Sequence, residues 1–85
     1  MPEISRFYGI VITLNYNDHA PPHFHARYGG RQATLTIRGV LLAGDLSPRA
    51  LALVRLWASL HEAELHADWE RARNQLPLVP IDPLD

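Results

Sequence analysis

The sequence predicts a single α+β domain over residues 1–85. A small antiparallel sheet of three to four strands packs on one long C-terminal helix, and an extended tail follows, in the order β-β-β-(β)-α. Three observations carry this. Residues 6–16, RFYGIVITLNY, are dense in β-branched and aromatic types. Two alternating runs flank Gly29-Gly30, the strongest short hairpin signal in the chain. From Ser47-Pro48 onward the apolar residues recur with a helical period.

The first run reads as one strand. Tyr8, Ile10, Ile12, Leu14 and Tyr16 fall on one face, and Phe7, Val11 and Thr13 on the other. Both faces are apolar, as in a central strand. Asn17 to Pro22, NDHAPP, is a loop: Asn and Asp start turns, and two prolines fix φ and remove donors.

The glycine hairpin tests itself. With Gly29-Gly30 as the turn, Tyr28 pairs with Arg31, Ala26 with Ala33, His25 with Thr34 and His23 with Thr36. Paired residues share a face. Phe24, Ala26, Ala33, Leu35 and Ile37 then line one side, and His23, His25, Arg27, Gln32, Thr34 and Thr36 the other. The sets separate into apolar and polar, which supports the register.

Gly39 to Gly44 reads as a short fourth strand or an extended turn. Ser47 caps the helix, Pro48 occupies its first turn, and the period continues to about Asn74. Its main apolar face is Leu51, Val54, Ala58, Leu65, Trp69, Ala72 and Leu76. A second stripe, Leu53, Leu56 and Leu60, needs the tail, a second copy or a partner to cover it. Pro77, Pro80 and Pro83 keep the tail extended.

Composition excludes several chemistries. The 85 residues contain no cysteine, so disulfides, thiolate metal sites and cysteine nucleophiles are ruled out. The formal charge of −1 gives no general attraction to nucleic acid, although all eight basic residues are arginine. No stretch reads as a signal peptide or a membrane span, and the expected location is the cytoplasm of a bacterium. A Gly-rich phosphate loop and a serine nucleophile elbow are also missing from the sequence.

The chemically dense segment is Asp18-His19-Ala20-Pro21-Pro22-His23-Phe24-His25. Two histidines two apart on a strand project from one face. Such a pair offers two nitrogen ligands to a divalent metal such as zinc or nickel. It also places a general acid beside a general base, with His19, His23 and His25 as the titratable groups and Arg27 as the stabiliser of a developing phosphorane charge. In the metal reading the ligands are His19, His23 and His25, joined by Asp18 and by the helix pair His61 and Glu64. The helix pair joins only at a sheet edge, through the loop, or across a dimer, because the helix covers the other sheet face.

The segments MPEISRFYGIVI, YNDHAPPHFHARYGG, LWASLHEAEL…DW and the terminal P-I-D-P-L resemble the bacterial domain-of-unknown-function family 4160 over nearly the whole chain. In that family His19, His23, His25, Gly29, His61, Glu64 and Leu65 match recurrent features. The family has no settled activity. The resemblance implies a small stand-alone protein encoded beside another, in a layout similar to toxin–antitoxin pairs.

Three functions remain open. One is a histidine-based ribonuclease or nucleic-acid-binding component of such a pair, with RNA as a partner. The second is a metal-binding module. The third is a non-catalytic interaction domain, a homodimer or the binder of a small cognate partner, in which Leu53, Leu56 and Leu60 form the interface.

Overall fold

The computed structural model describes residues 2–85 and has an α+β architecture. Five strands, β1 (Glu3–Phe7), β2 (Ile10–Thr13), β3 (His23–Tyr28), β4 (Arg31–Thr36) and β5 (Leu41–Gly44), form one antiparallel sheet in sequence order. Two helices follow, α1 (Pro48–Leu60) and α2 (Glu62–Arg73).

The sheet therefore has five strands, not three or four. The difference arises where the sequence reads one continuous strand from Arg6 to Tyr16. The chain reverses at Tyr8 and Gly9, whose φ angles are 50° and 80°. Two successive residues with positive φ give the tight hairpin turn that matches strand twist. Glycine adopts this freely, but tyrosine seldom does, so the aromatic run conceals the turn. Tyr8 is exposed at its tip, while Phe7, Ile10, Ile12 and Leu14 are buried.

The second hairpin has the register read from the sequence, from Tyr28–Arg31 out to His23–Thr36. Phe24, Ala26, Ala33, Leu35 and Ile37 are buried on the helix side. His23, His25 and Thr34 are half-buried on the other face, and Arg27 and Gln32 are exposed there.

The single long helix is also corrected, because the helical period runs through a one-residue break. His61 leaves helical geometry with φ −125° and ψ 27°, and its N–H is shared between the Trp57 and Ala58 carbonyls at 3.1 and 3.2 Å. Glu62 and Glu64 then occupy the first turn of α2, where the helix dipole favours negative charge. Ser47 caps α1, accepting the Ala50 N–H at 3.2 Å, and Pro48 starts it.

Val54, Trp57, Ala58, Leu65, Trp69 and Ala72 close the core against the sheet. Leu76, expected on that face, lies past the end of α2 and is exposed. Of the second leucine stripe, Leu53 packs against the core, whereas Leu56 and Leu60 are 51% and 63% exposed.

The tail has no regular structure but is tied down by hydrogen bonds along its length, three of them to the core elements. Asp68 Oδ1 accepts the Val79 N–H at 2.9 Å, Ile4 O accepts the Ile81 N–H at 2.8 Å, and Asp82 O accepts the Trp57 indole N–H at 2.9 Å. Ile81 is buried in the core. Among the described residues no helix is long and apolar enough to cross a membrane.

Candidate metal centre

The loop from Asn15 to Pro22 folds over the start of β3. Asn17 takes a positive φ of 57°, a conformation Asn tolerates, and its side-chain oxygen accepts from Gln75 Nε2 at 2.9 Å. The Ala20–Pro21 peptide is cis. The Pro22 carbonyl accepts the Ile37 N–H at 3.3 Å, which joins the loop to the segment after β4. These contacts aim the Asp18 side chain at the imidazoles of β3.

The two imidazoles converge. Their centroids lie 5.3 Å apart, edge to face. Asp18 Oδ2 is 2.9 Å from His23 Nε2 and 3.6 Å from His25 Nε2. All three side chains are shielded, at 22%, 11% and 14% exposure for Asp18, His23 and His25. The His23 ring rests on Trp69 of α2 with centroids 5.2 Å apart. Asp18, His23 and His25 each present one ligand atom within 4.8 Å of the others.

The remaining ring nitrogens are anchored. His23 Nδ1 is 2.7 Å from the Pro21 carbonyl oxygen, and His25 Nδ1 is 3.1 Å from Thr34 Oγ1. A carbonyl oxygen only accepts, so His23 Nδ1 carries the proton. Its Nε2 faces a second acceptor, the Asp18 carboxylate. Two chemical states satisfy such a ring: an imidazolium donating at both ends, or a neutral ring with a cation on Nε2. Nδ1–H bound to a backbone carbonyl, with Nε2 left for the ion, is how the rings of metal-ligating histidines are usually oriented.

Burial raises the Asp18 pKa. The His19 N–H at 3.0 Å and the two imidazoles more than offset this, and the carboxyl sits below its ordinary value. It is therefore an ionised carboxylate near neutral pH. The two carboxylate–imidazole spacings also fit. Tetrahedral bonds of about 2.0–2.1 Å place ligand atoms about 3.3–3.4 Å apart, and the distances of 2.9 and 3.6 Å bracket that. Two imidazoles and a carboxylate suit zinc, nickel or a neighbouring divalent ion.

Other residues singled out in the sequence lie elsewhere. The His19 side chain is exposed, and the residue contributes its backbone N–H. Arg27 is exposed farther along β3, lining an open cavity with Gly9, Tyr28 and Gln32. His61 and Glu64 do not join the centre: they form their own pair at 2.6 Å, with the His61 ring 5.6 Å from that of Trp57. The residues missed as partners are Asn15, whose Nδ2 is 3.4 Å from His25 Nε2, and Trp69. Thr34 was readable as His25's cross-strand neighbour, though not as its hydrogen-bond partner.

Comparison with known proteins turns on one match. The model of the family Domain of unknown function (DUF4160) covers residues 9–70. The chain belongs to this family. The matched span contains the whole Asp18–His23–His25 cluster and the His61–Glu64 pair. No curated protein and no solved structure matches it.

Proposed function

We propose that this DUF4160 chain is a metal-binding module that holds a divalent transition-metal ion of the zinc or nickel type through Asp18 Oδ2, His23 Nε2 and His25 Nε2. The observation that carries the reading is the His23 ring, set between two acceptors with its Nε2 on the Asp18 carboxylate and the His25 ring edge to face beside it. Asp18, His23 and His25 would leave a fourth position to one more donor, and a bound ion there would supply Lewis acidity. The chain's own contribution is to orient both imidazoles through Pro21 and Thr34 and to shield one side with Trp69.

The same contacts give less support to a metal-independent ribonuclease. A histidine acid–base pair needs ring nitrogens free to meet a substrate. Here both nitrogens of His23 are taken, and those of His25 face Thr34 and the Asn15 amide. A partner protein or second copy is supported by the exposed Leu56 and Leu60; the toxin–antitoxin-like bacterial setting rests on the sequence resemblance alone.

The test is calorimetric titration of untagged, chelator-treated protein with zinc and nickel. The proposal expects one ion per chain, and no binding after His23→Ala with His25→Ala. Binding that persists in the double variant contradicts it.

A further inference from the structure

We infer that Asn15 is a fourth protein ligand of this centre, acting through its side-chain carbonyl oxygen. The inference rests on the metal reading above. Asn15 lies two residues beyond the end of β2. The β2–β3 register pairs Val11 with Arg27 and Thr13 with His25. Continued by two residues, it sets Asn15 opposite His23, on the imidazole face of the sheet.

Two facts about the amide make it more than a neighbour. Its Nδ2 stands 3.4 Å from His25 Nε2. Its Oδ1 is buried and has no hydrogen-bond partner. A buried amide oxygen left unpaired is costly and calls for a partner. A half-turn about the terminal torsion exchanges the two atoms: it places Oδ1 where Nδ2 stands and Nδ2 in the buried position that Oδ1 leaves, so the ion and not that position must supply the driving force. At about 3.4 Å, two donors share one ion with bonds of ordinary length.

The driving force for the turn is electrostatic. With a lone pair on His25 Nε2, the amide N–H donates to it. With a cation on Nε2, the N–H is repelled and the carbonyl oxygen is attracted. Asn15 thus has one role in the metal-free chain and another in the loaded one. The donor set becomes two imidazole nitrogens and two oxygens. For a tetrahedral ion that is a closed shell, the arrangement of metal holding instead of metal catalysis.

Cobalt(II) titration of the full chain, followed by visible absorption, tests this. The wild type is expected to bind one ion with the intense band of four-coordinate cobalt. Asn15→Ala should weaken binding at least tenfold and reduce that band. Asn15→Asp, which restores a ligating oxygen but cannot donate to His25, should bind at least as tightly as the wild type. Circular dichroism confirms that each variant is folded, and Asn15→Ser replaces alanine if needed. An Ala or Ser variant with unchanged affinity and spectrum overturns the inference. So does an Asp variant as weak as Ala, since the amide then acts only as a donor to His25. A wild type that binds no cobalt overturns the metal reading itself, and the inference with it.

Discussion

Two aspartates in this small domain sit in opposite electrostatic circumstances. Asp18 and Asp68 are both pushed towards the neutral form by burial. Around Asp18 a backbone N–H and two imidazoles more than offset that push, and its pKa is lowered. Asp68 is only 1% exposed, keeps a single N–H from Val79, and leaves Oδ2 buried without a partner. Arg71 offsets part of the burial, Glu64 adds to the rise, and the pKa ends up raised. The first carboxylate is held charged among groups suited to a cation. The second is a structural clasp on the tail. Burial alone does not mark a functional acid; the groups converging on it do.

The largest expected effect breaks the comparison at the Asp18 end. Asp18→Ala should reduce zinc affinity by a hundredfold or more in calorimetry, while Asp68→Ala should leave affinity within a factor of two. Thr34→Val comes next. It removes the partner of His25 Nδ1 and should cost about 10- to 100-fold in affinity, the usual range for such supporting contacts.

The pH dependence of stability sharpens the contrast, because the signs differ. In metal-free protein, Asp18→Asn should cost about 1.5–3 kcal/mol at pH 7, the scale of hydrogen bonds to a charged group. The folded pKa of Asp18 is lowered. Its contribution is therefore present above the unfolded value near 4 and is lost as pH falls through the folded one. The folded pKa of Asp68 is raised. Its favourable contribution is present below the unfolded value and is lost as pH rises through the folded one. Asp68→Asn should therefore stabilise by about 1 kcal/mol at pH 7 by removing a buried charge. That gain should shrink on acidification. Urea unfolding of both variants across pH 3–7 checks the two trends; parallel trends would refute the contrast.

The smallest effect belongs to the helix pair. Glu64 is half exposed beside His61. Glu64→Ala should change stability by about 0.5 kcal/mol or less and leave metal affinity unchanged.

Much of the site was legible because one hairpin could be checked internally. The glycine turn and the strict alternation from His23 to Thr36 allow a single register, and that register faces the imidazoles together. The elements that hid were those marked by one residue. Tyr8 takes a left-handed conformation that its type rarely adopts, so a reversal looked like continuous strand. His61 interrupts the helix without interrupting its apolar period. Asn15 escaped for a related reason: its place beside His25 depends on pairing β2 with β3, and a strand mistaken for twice its length offers no register. Asp18 was visible as a loop acid, but its aim depends on the Asn17 conformation and its tether to Gln75, 58 residues away.

The most direct test of the metal centre is X-ray absorption at the zinc edge of the loaded, untagged protein. The account predicts two imidazole nitrogens in the first shell, accompanied by oxygen donors, at about 2.0–2.1 Å. A shell without imidazole scattering, or a chain that retains no zinc after gel filtration, would contradict it.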